Sequence, residues 1–231
     1  MPQESGARRM KSKKSVFLAG VLCRPNVLHA VLGDCYLTAA TLQGYQDDAT
    51  VPGIWAAPNV QIQGRVLDVT NYDDLDRLHF YCAVFGAKSQ QVDVHLANGT
   101  EVAVQVFVTD KDCISLELPD HWDSDAVYAR MACEIMLYYN DLPATYLAER
   151  VSGVFRRATS YIATQALPAD PDRDLSRDVM MKSIWRPYVN FFAVEENDLQ
   201  FRRYDGQMSE VVNRGALHVG QVVAVLPYDP V

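Results

Sequence analysis

The run from Ser15 to Gly33 constrains this 231-residue chain more than any other stretch. Its apolar opening, Val16-Phe17-Leu18-Ala19, reads as a strand. It stops at Gly20, where a backbone without Cβ can take φ > 0 or admit a close neighbour. Pro25 then opens a helical pattern that sets Val27, Leu28, Val31 and Leu32 on one face. Strand, glycine turn and helix in succession aim backbone N–H groups at whatever lies above the turn, so the following elements are expected to gather around it.

Downstream, Val60 to Leu67 alternates as a strand does, and Val51-Pro52-Gly53-Ile54 before it reads as a turn. Thr70 or Asn71 caps a helix whose first turn carries Asp73 and Asp74, favourable at the positive end of the helix dipole. Leu75, Leu78 and Cys82 recur at i, i+3 and i+7, which points Cys82 where the leucines point, inward. Gln91 to Val108 reads as two alternating strands joined at Asn98-Gly99, the strongest short hairpin signal. Past Trp122 the period becomes helical. Ser124 to Tyr139 and Ala144 to Ala166 form a helical pair split by Pro143, with an apolar stripe that is packing surface. Pro168 to Asp174 is a polar linker. Residues 188–209 then read as a hairpin turning at Glu196-Asn197-Asp198, with a further turn at Asp205-Gly206.

These segments give an α+β chain in four parts: a basic, disordered tail at 1–14, a first domain at 15–118, a helical segment at 119–167 and a β-rich module at 168–231. Hydrophobic residues make up 49% of it and charged residues 22%. No apolar run approaches the roughly 18 residues a membrane span needs. The apolar core after Arg8, Arg9, Lys11, Lys13 and Lys14 is too short for a signal peptide, so a cytoplasmic location is expected. A net charge of −8 argues against nucleic acid, which needs a clustered basic face. The five cysteines, Cys23, Cys35, Cys82, Cys113 and Cys133, contain no Cys-x-x-Cys. Neither a disulfide framework nor a zinc site is expected, and the histidines show no metal-ligand spacing, so no metal or cofactor is called for.

Several motifs resemble the γ-glutamylcyclotransferase-like, or AIG2-like, family. Ala19-Gly20-Val21-Leu22 stands where that family has Tyr-Gly-Ser/Thr-Leu after its first strand. Gly44 and Tyr45, Pro52 and Ile54, and Gly64 fall in register with its later motifs, and the Asn98-Gly99 hairpin matches the one that closes its small barrel. The resemblance covers residues 15 to about 110. It implies a γ-glutamylcyclotransferase-like mixed β-barrel with flanking helices. It also implies a pocket for an amino-acid-like small molecule lined by Ala19, Gly20, Val21, Leu22 and Tyr45, and an intramolecular amide transfer on γ-glutamyl compounds. The family's general acid and base is a glutamate at the end of the helix that here reads Leu78-His79-Phe80-Tyr81-Cys82-Ala83. Cys82 occupies the glutamate position. The terminal segment, with Asp205-Gly206 and Arg214-Gly215 to Pro227-Tyr228-Asp229-Pro230, resembles the leading strands of ADP-ribose pyrophosphatase-type Nudix proteins, without the Nudix box. That resemblance implies a homodimer through residues 188–231.

Three functional readings stay open. The first is cyclotransfer, for which Asp73, Asp74, Asp76, Glu101 and Glu117 offer no obvious substitute carboxylate. The second is acyl transfer by Cys82, with His79 at i−3 lowering the thiol pKa. The third is a binding and dimerisation module that has lost its reaction. It fits the simultaneous presence of Ala19, Val21 and Cys82 at the three polar positions.

Overall fold

In a computed structural model, residues 9–48, 51–110, 122–165, 174–190 and 192–219 are described. The chain divides into two compact units, Met1–Val151 and Ser152–Val231. The first holds β1 (Arg9–Leu18), α1 (Pro25–Leu32), β2 (Leu37–Asp48), β3 (Val51–Asn71), α2 (Tyr72–Val84), β4 (Lys88–Leu96), β5 (Glu101–Val108), α3 (Ser124–Met136) and α4 (Ala144–Ala148). Its strands close into a barrel in the order β1-β3-β2-β4-β5. The α+β class and the mixed barrel read from the sequence are therefore present.

Alternation explains how the barrel fills. Phe17, Ala40, Leu42, Ile62, Val66, Val94, Val104 and Val106 form one buried cluster in its interior. Burying each such side chain contributes about 1.5–3 kcal/mol. Val16 and Leu18 are fully buried as well, although they alternate with Phe17, so β1 is covered on both faces. β1 also begins at Arg9, ahead of its apolar run, because pairing with β3 needs only backbone groups.

The stretch read as a turn at Val51–Ile54 belongs to β3 instead. Ile54 pairs with Asp47 on one side and with Val108 on the other, and Pro52 sits at the strand's start, where a missing N–H is tolerated. β3 bends further on. The register with β2 shifts between Gln43 and Tyr45, where Gly44 has φ +80°, and the stretch of β3 skipped there includes Asn59 at φ +70°. The Asn98-Gly99 turn joins β4 to β5 as the sequence indicates, with Gly99 at φ +82°.

Asn71 caps α2 by accepting from the Asp74 N–H at 2.7 Å, and Asp123 caps α3 in the same way. α1 packs on α3, and α2 on α4 and β3. The single helix expected over Ala144–Ala166 is interrupted after Ala148. There Arg150 lies over the Tyr146 ring and donates to the Tyr146 carbonyl at 2.9 Å.

The second unit contains α5 (Val151–Gln165), α6 (Leu175–Asp178), β6 (Val179–Val189), β7 (Ala193–Phe201) and β8 (Val212–His218), with an antiparallel sheet ordered β6-β7-β8. Glu196-Asn197-Asp198 lies within β7 rather than at a turn. Asp198 is held across the sheet, while the buried Asn197 Oδ1 has no hydrogen-bond partner among the described residues. Asp198 accepts from Ser183 at 2.9 Å and from Asn213 at 3.0 Å, and the buried Glu195 pairs with Arg186 at 2.7 Å. The Asp205-Gly206 turn is present, with Gly206 at φ +80°. Residues 220–231, which carry most of the Nudix-like sequence, lie outside the described residues.

Gly64 provides a direct check on the barrel. A Cβ there would lie 2.5 Å from the Leu18 carbonyl oxygen and within contact distance of the Phe17 ring, both fixed in the interior. Gly64→Ala is expected to destabilise the first unit by about 1–3 kcal/mol in urea unfolding. An unchanged midpoint would contradict the close approach of β1 to β3.

Candidate functional site

β1 ends in the turn on which the sequence centres. Ala19 is extended, and Gly20 takes φ +56°, opening a one-turn 3-10 helix, Gly20–Cys23. Two hydrogen bonds close it: the Cys23 thiol donates to the Leu18 carbonyl at 2.9 Å, and the Arg24 N–H to the Val21 carbonyl at 3.2 Å. Pro25 then starts α1. Arg24 fixes the turn to α3 by pairing with Asp125 at 2.8 Å, donating to Ser124 and lying over the Tyr128 ring. The side chains of Ala19, Val21 and Leu22 are all buried. Nothing polar projects from the turn at those three positions.

Cys82 lies near the end of α2, buried beside Leu75 and Leu78 on the helix's inner face. Burial alone drives its thiol far above the ordinary cysteine range, and no neighbouring cation opposes the shift. The adjacent Tyr81 is fully buried, with its ring edge against Phe85. Burial pushes its hydroxyl far up too, with Cys82 and Tyr128 adding to the shift and Arg24 opposing it. Tyr81 thus stands at the junction of α2, α3 and the Gly20 turn, and its hydroxyl has no hydrogen-bond partner among the described residues. Arg24 and Tyr81 are the residues a sequence reading misses here. A lone Arg before a proline and an aromatic on an apolar helix face carry no distinctive spacing.

His79 turns away from this interior. Its Nε2 meets the Gln105 carboxamide at 2.7 Å, and its ring stands edge-on to Phe107 at 5.0 Å. Burial lowers the imidazole below its ordinary value, Asp76 opposes and Lys14 reinforces the shift. Tyr45 is half-buried on β2, packs against the barrel's interior cluster and accepts at its hydroxyl from Gln90. A cleft of about 300 Å³ lies beyond the turn, lined by residues that include Cys23, His29, Asp34, Cys35 and Arg65, but not by Gly20, Val21, Leu22 or Cys82. Burial raises the Cys23 thiol to about 11, with Arg65 partly offsetting it.

No protein-family model matches the chain, and no curated protein does. Solved structures similar to it include a gamma-glutamyl cyclotransferase, at 16% identity over 61% of this chain and 87% of that one, with a TM-score of 0.38. An Arabidopsis thaliana protein is similar at 21% identity over 46% of this chain and 76% of its own, TM-score 0.38. An uncharacterized Homo sapiens protein is similar at 17% identity over 62% and 88%, TM-score 0.39. No helix among the described residues is long and apolar enough to cross a membrane. Groups of three or more metal-ligating side chains are absent among the described residues.

The Gly20 turn thus offers backbone groups, with its flanking Arg24 already paired to Asp125, and α2 carries an orphaned Tyr81 hydroxyl and a buried Cys82 thiol. Such a set can fill space and hold one hydrogen bond.

Proposed function

We propose that the first unit is a γ-glutamylcyclotransferase-like domain that no longer performs cyclotransfer and serves as a binding module. The order of sequence motifs from Ala19 to the Asn98-Gly99 hairpin supports the family reading. The loss of reaction rests on one observation, the state of Cys82 at the position where the family has its glutamate. Cyclotransfer needs a group that takes a proton from the substrate amine and returns it to the leaving nitrogen. A thiol buried among leucines and pushed far above its ordinary pKa stays protonated at neutral pH. Acyl transfer by Cys82 fares no better, since it needs a thiolate, and His79 is engaged by Gln105 and Phe107. The test is incubation of the full chain with a set of γ-glutamyl amino acids while following 5-oxoproline. Product at the level of the protein-free control is expected, and sustained production would overturn the reading.

A second reading concerns the Ser152–Val231 unit, whose sequence resembles a Nudix leader. β6 is an edge of its sheet and exposes Met180, Met181, Ile184, Trp185 and Tyr188. An edge strand with a run of exposed large apolar side chains is a template for pairing with another chain. We propose that two copies of this chain associate there. Light scattering at micromolar concentration is expected to give twice the chain mass, and Trp185→Glu to reduce it to one. A monomeric wild-type chain, or a variant as dimeric as wild type, would contradict this.

A further inference from the structure

Away from the Gly20 turn, β1 and β5 meet at one register pair among the described residues, Val16 beside Gln105. The ladder does not extend to Lys14 or to Ala103, and residues of β1, β4 and β5 line a cleft of about 420 Å³ there. That volume lies in the range of small-molecule sites, roughly 300–1,000 Å³.

The lining has a definite chemistry. Among the described residues that line it, Lys14 is the one cation, none is a carboxylate, and the remaining polar side chains are carboxamides and hydroxyls. Lys14 shares the outer face of β1 with Val16, whereas Ser15 turns to the face of Phe17 and holds Asp68 at 2.8 Å. No acid therefore pairs with the Lys14 ammonium among the described residues. Gln91 and Gln105 are register partners across β4 and β5, so their carboxamides lie side by side. His79 takes one end of the Gln105 carboxamide at 2.7 Å, with Phe107 behind the ring, and leaves the other end of that amide to find a partner. The depressed imidazole is neutral above its ordinary pKa, which leaves the positive charge of the cleft on Lys14.

We propose that this cleft binds a small carboxylate that also carries an amide, the carboxylate meeting Lys14 and the amide meeting Gln91 and Gln105. A single ammonium balances a monoanion. A phosphate dianion would call for further cations or a row of backbone N–H groups, and the described residues of the lining include no second cation. Carboxamides that present a donor and an acceptor each are matched by another amide. The cleft shares no residue with the Gly20 turn or with Cys82, so it stands whether or not the chain has cyclotransferase activity.

The probe is N-acetylglycine, titrated into the isotope-labelled full chain and followed by NMR. Saturable shifts of the Gln91 and Gln105 side-chain amides and of the Lys14 backbone N–H are expected. N-acetylglycinamide, which lacks the carboxylate, is expected to leave these signals in place. Lys14→Met removes an exposed side chain and is expected to weaken binding by about tenfold with the fold intact. The proposal is overturned if these signals do not move, if Lys14→Met or the glycinamide binds equally well, or if inorganic phosphate saturates the same signals at equal concentration.

Discussion

Strand β3 carries the barrel because it pairs with β2 along most of its length, with β1 at its C-terminal end and with β5 near its start. One strand of this length can serve three partners only if it bends. Gly44 opposite the Pro58-Asn59 stretch supplies the bend, and Gly64 supplies the clearance for the Phe17 ring. Positive φ at Gly44, and at Asn59 in the stretch of β3 that the register skips, costs little where glycine and asparagine occupy those positions. The long register with β2 offsets that cost through ladder hydrogen bonds and cross-strand packing.

Closure of the barrel decides where chemistry can occur. β1 enters with apolar side chains on both faces and ends in a turn whose side chains point into the packed interior. α2 buries Leu75, Leu78, Tyr81 and Cys82, with Tyr81 near Arg24 and Tyr128, and Arg24 ties the turn to α3. Each apolar side chain buried there strengthens the fold and raises the cost of ionising any group among them. The consequence is visible in both Tyr81 and Cys82. Polar groups collect instead on the outer faces of β4 and β5, beside Lys14, where His79 looks out from α2.

Much of this was legible in the sequence wherever a local signal had one meaning. Gly20 before Pro25, the cap at Asn71 and the Asn98-Gly99 turn depend on nearest neighbours, and each sits where its chemistry places it. Glu196-Asn197-Asp198 misleads because turn-forming residues also make good cross-strand partners. Ser183 and Asn213, the partners of Asp198, are distant in sequence and invisible to a local reading. Spacing also placed His79 next to Cys82 on one helix. The barrel then gave the imidazole a closer partner in Gln105, from a strand more than twenty residues away. The inward direction of Cys82 followed from its period with Leu75 and Leu78, whereas its depth and the orphaned Tyr81 hydroxyl required the helices on either side.

On the proposed reading, position 82 is packed core rather than a site that could hold a working carboxylate. Introducing a carboxylate there tests this most directly, through the pH dependence of stability of Cys82→Glu. A glutamate enclosed by apolar neighbours has a folded-state pKa raised above its unfolded value of about 4.3, by roughly 3 units or more. The variant should therefore approach wild-type stability below about pH 4 and lose about 4 kcal/mol as pH rises toward neutrality, since the unfolded chain releases the proton first. Wild-type stability at neutral pH, with no such slope, would mean that position 82 opens onto water and would contradict the account.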